Sequence, residues 1–168
     1  MIGRWAVAAV LTALAGGAAA AETLPSAGAH SCWGRVYSDT HLAETPGQRV
    51  REMRLTLVNL EDFDQVSFLI QVVSTEDANR LWITDGECRQ DAGTPRADCY
   101  VWCDGGGFAL QAEPDGDSLL LFNNGFVLSG CGSPEGSEDD EAFLRLDADP
   151  DHQVFRLYRL REEMCGGG

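Results

Sequence analysis

Residues 50–73, VREMRLTLVNLEDFDQVSFLIQVV, predict two consecutive β-strands and thereby indicate the fold class. Every second residue from Met53 to Leu57 is apolar and the residues between are charged or polar, which is the period of a strand with one buried face. Residues 66–73 repeat this alternation after the turn-like residues 61–64. We therefore expect two half-buried strands that are joined by a turn.

Similar short runs recur along the chain, separated by Gly, Pro, Asn and Asp at intervals of about ten residues. Asn124-Gly125 predicts a tight hairpin turn, and so does Asp115-Gly116, because these residue types tolerate positive φ. The pattern predicts an all-β chain, a single antiparallel barrel or sandwich of about 8–10 short strands. The remaining predicted strands are 81–84, 99–102, 107–112, 119–122, 126–129, 143–146 and 153–160.

The start of the chain has the three-part composition of a secretion signal. Arg4 is followed by the apolar run Trp5–Ala15 and by small residues that end in an A-x-A type cleavage site before Glu22. The apolar run is shorter than the ~20 residues of a membrane-spanning helix, which favours a cleaved signal over a membrane anchor. We expect export to the periplasm or the extracellular space, with no membrane attachment after cleavage. The predicted segments are a signal peptide at 1–21, a flexible leader at 22–31, a single β domain at 32–165 with a short helix near 39–44, and a tail at 166–168.

Six cysteines follow the predicted cleavage site, and an even number in an exported chain indicates three disulfides. Cys99 and Cys103 lie four residues apart in a predicted strand. That spacing gives about 13 Å, whereas a disulfide spans ~5.5 Å between Cα atoms, so the two need separate partners. A Cys88–Cys99 bridge would link the two strands of a hairpin. Fifteen pairings are possible, and among the cysteines Cys32, Cys88, Cys99, Cys103, Cys131 and Cys165 we favour Cys88–Cys99, Cys103–Cys131 and Cys32–Cys165.

The composition excludes several classes of function. With 27 acidic and 12 basic residues the formal net charge is −15, so nucleic acid and anionic membranes are poor partners, whereas a basic protein or a cation is compatible. The sequence contains no lysine, which excludes a Schiff-base nucleophile, a Ser-Lys dyad and a P-loop. It also contains no G-x-S-x-G, H-E-x-x-H or G-x-G-x-x-G motif. We assign no catalytic and no cofactor-binding residues.

An Asp-rich stretch is a weak candidate for a cation site. Residues 147–151, DADPD, open like the D-x-D-x-D of a calcium loop, but His152 stands where that loop needs Gly and Tyr158 where it needs a bidentate Glu. The acidic loop 138–141 would have to supply further ligands. We expect no resident cofactor, with Ca²⁺ as the open alternative to a solvated acidic turn. The candidate ligands are Asp147, Asp149 and Asp151.

Other conspicuous residues have simple structural interpretations. Gly105-Gly106-Gly107 lacks the lysine and the following helix of a phosphate-binding loop, and predicts a bulge or a tight strand entry. Trp82 and Trp102 lie in apolar runs, which favours core packing over a platform for stacking sugars. We expect His41 and His152 at the surface or at a helix end.

One resemblance covers most of the predicted mature chain. A C-x3-C-D-G-G-G-F motif begins at Cys99, a G-C-G motif surrounds Cys131, and the run DHQVFRL at 151–157 precedes the terminal Cys165. In these features the chain resembles small secreted six-cysteine β-proteins of Gram-negative bacteria that have no assigned activity. The resemblance implies no catalytic or binding residues.

These observations predict a secreted or periplasmic non-enzymatic binding module. It would be an inhibitor-like domain that presents a stapled loop to another protein, or a barrel that holds a small ligand. The alternatives are an Asp/Glu-dependent hydrolase and a cation-stabilised structural protein. A ligand-binding barrel needs a closed apolar cavity, and a hydrolase needs two carboxylates at one cleft with one of them buried.

Overall fold

The structure is a computed structural model that describes residues 22–61, 65–129 and 143–165. The predicted signal peptide, the acidic loop 138–141, Cys131 and the tail lie outside these residues. The described elements are, in chain order, β1 (His30–Val36), α1 (Asp39–Glu44), β2 (Val50–Asn59), β3 (Val66–Ser74), β4 (Leu81–Gln90), β5 (Arg96–Val101), β6 (Gly106–Ala112), β7 (Ser118–Leu128), β8 (Leu144–Leu146), β9 (Val154–Arg159) and a 3-10 turn (Glu162–Cys165).

Eight of the strands close into an antiparallel barrel. Each strand from β1 to β7 pairs with the next one, and β9 pairs with both β7 and β1. The short strand β8 lies on the same side of β7 as β9, because β9 pairs with residues 118–122 of β7 and β8 with residues 126–128. The prediction of a single antiparallel all-β domain is therefore confirmed, and of the two predicted architectures the chain adopts the barrel.

Side chains fill the inside of this barrel. In β2, every second residue from Met53 to Leu57 is fully buried, as the alternation predicts. The Phe108 ring contacts the rings of Phe68 and Phe126 inside, with centroid distances of 5.0 and 5.4 Å. The inward side chains form a single apolar cluster. An eight-stranded barrel is just wide enough for such a core, which stabilises the fold by ~1.5–3 kcal/mol for each large side chain that it buries.

Residues 22–29 cover the end of the barrel at which β1 begins, which we call the lower end. Thr23 is buried; its hydroxyl donates to the Pro95 carbonyl oxygen (2.8 Å) and accepts the Ala112 N–H (3.0 Å). Leu24 packs against the core. This segment differs from the predicted flexible leader, because its hydroxyl and apolar side chains find partners on the connections at this end of the barrel. The opposite end, with α1, residues 75–80 and the β5–β6 turn, is the upper end.

Asn124-Gly125 forms a bulge inside β7, and the predicted hairpin turn there is wrong. The strand runs unbroken through both residues, and its register with β6 shifts between Gly106 and Phe108. Gly125 has a φ of 91°, and its N–H donates to the Asn123 side-chain oxygen (2.8 Å). The positive φ that a hairpin turn would use here bends a continuous strand.

Three other local predictions are confirmed. The helix α1 spans the predicted residues, and Ser38 caps it by accepting the His41 N–H (3.2 Å). Gly116 has a φ of 72° in the connection between β6 and β7, as the Asp115-Gly116 turn requires. Gly106, with a φ of 82°, produces the predicted bulged entry into β6. Neither helix in the described residues is long and apolar enough to span a membrane.

Two predicted disulfides are confirmed. Cys88 and Cys99 face each other on β4 and β5, and their bridge lies inside the barrel. Cys32 and Cys165 join β1 to the 3-10 turn. Cys103 is also disulfide-bonded, while its predicted partner is outside the described residues. Cys103 does not lie in a strand as predicted, because β5 ends two residues earlier. Disulfides of this kind are typical of proteins outside the cytoplasm.

Candidate functional site at the β5–β6 turn

The β5–β6 turn, residues 102–105, is held on both sides by the barrel. The Trp102 N–H donates to a carbonyl oxygen of β4 (3.2 Å), and the Gly105 carbonyl oxygen accepts an N–H of β7 (2.9 Å). Cys103 and Asp104 have φ values of 58° and 57°, in the left-handed region that residues other than Gly rarely adopt. Because Cys103 is also disulfide-bonded, the turn is a constrained projection of the barrel.

Large apolar side chains are exposed around this turn. Tyr100 and Trp102 are 57% and 49% exposed, and they lie two residues apart at the end of β5. Ile83 on β4 and Phe143 before β8 are 40% and 48% exposed. A group of exposed apolar residues in one region of a surface is a common mark of an interaction site.

Cys103 and Asp104 are flanked by two open clefts, and both residues line each of them. The larger cleft has a volume of about 570 Å³ and lies on the β6 side of the turn, where Tyr100 lines it. The backbone of Gly106 and Gly107 also lines this cleft. A Cβ atom on Gly107 would lie 2.5 Å from the Cys99 carbonyl oxygen, so the two strands approach too closely there for a side chain.

The smaller cleft has a volume of about 150 Å³ and lies on the β4 and β7 side of the turn. Trp102 and Phe143 provide aromatic walls, and Asp85 and Asp104 provide carboxylates. In the described part of the chain neither carboxylate is ion-paired. The neighbouring Asp98 differs, because it lies 3.8 Å from the Arg96 guanidinium. The smaller cleft therefore combines aromatic surface with negative charge that no arginine neutralises.

Among the described residues the predicted cation ligands Asp147, Asp149 and Asp151 are not grouped into a metal site, and the acidic loop 138–141 that would supply further ligands lies outside these residues. Asp149 accepts the backbone N–H groups of Asp151 (3.0 Å) and His152 (3.1 Å), and its Oδ1 also lies 2.8 Å from His152 Nδ1. These hydrogen bonds, that of the His152 side chain foremost, lower the pKa of Asp149. The Asp151 carboxylate lies against the backbone of Gly47. Within residues 22–61, 65–129 and 143–165 there is no group of three or more His, Cys, Asp or Glu side chains suited to a metal ion.

Two predictions about single residues are wrong. His152 is 1% exposed and not at the surface, because Asp149 takes its Nδ1–H and its Nε2 accepts the Arg49 N–H (2.8 Å). Trp102 is not in the core, since the chain leaves β5 one residue before it and turns outward. Trp82 is buried as predicted, and His41 lies on α1, where its ring stacks on Tyr37.

The sequence contained a signal for Tyr100 and Trp102 that composition alone does not reveal. Cys99 and Val101 alternate with them, so a strand that buries the first pair must expose the second. Phe143 and Asp85 carry no comparable signal, because their proximity to the turn depends on the closure of the barrel.

Comparison with protein-family models, curated proteins and solved structures finds no match to this chain. The resemblance to small secreted six-cysteine β-proteins therefore stays a prediction.

Proposed function

We propose that this protein is an exported, non-enzymatic binding module that recognises a basic protein partner through the β5–β6 turn, in the manner of an inhibitor. The observation that carries the proposal is the exposure of Tyr100 and Trp102 beside a turn that a disulfide and two strands constrain. Tyr and Trp dominate the binding energy of many protein interfaces. A constrained backbone loses little conformational entropy on binding, which raises affinity.

The charge of the molecule supports a basic partner. The formal net charge is −15, and Asp85 and Asp104 add unpaired carboxylates next to the exposed aromatic rings. Opposite charges accelerate the encounter of two proteins and select among partners. Export agrees with the predicted signal peptide and with the disulfides.

The alternatives have less support. A small ligand inside the barrel would compete for space with the Phe68, Phe108 and Phe126 rings that pack there. A hydrolase would need one buried carboxylate at a shared cleft. Asp98 and Asp104 share the larger cleft, and Asp85 and Asp104 share the smaller one, but none of these three carboxylates is buried.

An aromatic photo-crosslinking amino acid at position 102, which keeps a ring in place of the indole, tests this function in the cells that export the protein. The matched control carries the same amino acid at position 158, because Tyr158 on β9 has nearly the same exposure, 47% against 49% for Trp102. We expect a discrete adduct with a basic protein from position 102 and none from position 158. An excess of purified wild-type protein should compete the adduct away, whereas the Trp102→Ala variant should not. The same adducts from both positions, or none from position 102, would contradict the proposal.

A further inference from the structure

We infer that the smaller cleft beside the β5–β6 turn receives an arginine side chain of the partner. This inference rests on the proposed protein-binding function and specifies its chemistry. The cleft is lined by Thr84, Asp85, Trp102, Asp104, Val127 and Phe143, together with backbone of the turn.

The aromatic residues elsewhere in the barrel indicate what these walls bind. Several of them are covered by the chain's own arginines, with guanidinium carbons 3.7–4.4 Å from the ring centroids. The pairs are Arg80 on Trp82, Arg159 on Trp33 and Arg35 on Tyr37. Among the described residues no arginine lies over Trp102 or Phe143. Within the described part of the chain, the cleft therefore lacks the arginine that stacks on several of the protein's other rings.

The polar groups of the cleft fit a cationic donor. Asp85 and Asp104 are acceptors without an ion pair in the described residues, and they approach the cleft from β4 and from the turn. Thr84 also lines the cleft and is 1% exposed, yet its hydroxyl makes no hydrogen bond with any described residue. That hydroxyl is not among the fully enclosed polar atoms that lack a partner, so it can accept an N–H from a ligand in the cleft.

The size and the shape of the cleft select a single side chain. Its volume of about 150 Å³ is well below the ~300–1,000 Å³ of small-molecule pockets. Arginine fits better than lysine, because its planar guanidinium stacks on an aromatic ring while its edge donates to carboxylates. Lysine presents a strongly hydrated point charge that cannot do both equally well.

Titration of the disulfide-intact mature protein with N-acetyl-arginine N-methylamide, followed by backbone amide NMR shifts, tests the inference. We expect saturable shifts confined to residues 83–85, 102–105 and 127. The lysine analogue should bind more weakly, and the citrulline analogue, which has the same shape without charge, more weakly still. Asp85→Asn and Asp104→Asn should each weaken binding of the arginine probe by about two- to five-fold, the size of one exposed charge pair.

Asp98→Asn is the matched control, because it removes the same charge from the neighbouring cleft. It should leave the affinity for the arginine probe unchanged, and the same spectra show whether each variant is folded. The inference is overturned if no saturable shift occurs, if citrulline binds as well as arginine, or if Asp98→Asn weakens binding as much as Asp85→Asn. An adduct from position 102 without arginine binding would leave the proposed function standing and remove this inference. Arginine binding without any adduct would remove the protein partner, and with it the inference as stated, and would leave only a cleft that binds a guanidinium group.

Discussion

The two ends of the barrel use the same kinds of side chain in opposite ways. At the lower end the Thr23 hydroxyl joins two connections and Leu24 packs against the core. At the upper end Trp102 and Phe143 remain about half exposed, and the Asp104 carboxylate has no ion pair among the described residues. A group that is already satisfied contributes to folding, whereas an exposed and unpaired one is available to a partner. The lower end therefore contributes to stability, and the exposed groups of the upper end agree with the proposed binding function.

The largest expected loss of stability comes from removing the disulfide near the lower end. The Cys32–Cys165 bridge closes a loop with a sequence separation of 133, whereas Cys88–Cys99 closes one of 11. Loop-closure entropy therefore predicts that Cys32→Ala/Cys165→Ala lowers the free energy of unfolding by about 5 kcal/mol and Cys88→Ala/Cys99→Ala by about 3 kcal/mol. Urea unfolding of both double variants measures the two losses. The reverse order would mean that packing of the interior bridge outweighs chain entropy.

The next effect concerns the hydroxyl that fastens residues 22–29. Thr23→Val keeps the shape of the side chain but leaves the Pro95 carbonyl and the Ala112 N–H without their partner. We expect a loss of about 1–3 kcal/mol in the free energy of unfolding. Thr40→Val, at an exposed position of α1, is the control and should change stability by less than about 0.5 kcal/mol. Equal losses in both variants would show that residues 22–29 do not contribute to closing the lower end.

At the upper end a much larger truncation should cost less. Trp102→Ala removes a whole indole ring, but the ring is half exposed, so we expect a loss of under about 1 kcal/mol in the free energy of unfolding. The same variant, added as purified protein, should fail to compete away the adduct that forms from position 102. The free energies of unfolding of Trp102→Ala and Thr23→Val, measured side by side, therefore test whether the two ends of the barrel differ in their contribution to stability. The expected difference is contradicted if Trp102→Ala destabilises the protein more than Thr23→Val does.

Alternation and turn residues predicted the all-β class of the fold. They did not distinguish a barrel from a sandwich. The inward faces of β2 and β3 follow from period-two patterns that local sequence contains. Closure of the barrel depends on β9 meeting β1, where only Trp33 and Gly34 pair with Arg159 and Tyr158. No local pattern encodes a contact between segments so far apart in the chain. β1 itself was not predicted as a strand for a related reason, since both of its faces are largely buried and alternation is weak.

The candidate site was predictable only in part. Residues 100 and 102 alternate with buried positions of β5, so their exposure follows from the period of a strand that also buries Cys99. The prediction of Trp102 as a core residue is wrong because the apolar run around it continues the alternation of β5, in which this position faces outward, and the strand ends at Val101. Asp85 and Phe143 join the site through β4 and the segment before β8, and that assembly arises from tertiary structure alone.

The smallest expected effect is on the stability of the protein at acidic pH. It can be compared for one turn at each end of the barrel. In the turn at the lower end, hydrogen bonds lower the pKa of Asp115, and the largest contribution comes from the Asp117 N–H. In the turn at the upper end, hydrogen bonds lower the pKa of Asp149, and the largest contribution comes from the His152 side chain. A carboxylate with a lowered pKa stabilises the fold above its unfolded value of about 3.9, and that contribution disappears as the pH falls through the folded pKa. Asp115→Asn and Asp149→Asn should therefore lower the Tm at pH 7 slightly and lose less stability than wild type below about pH 4. Because acid also relieves the repulsion within a chain of net charge −15, the test is the difference between variant and wild type in Tm measured across this pH range. Parallel curves would show that neither turn depends on its ionised carboxylate.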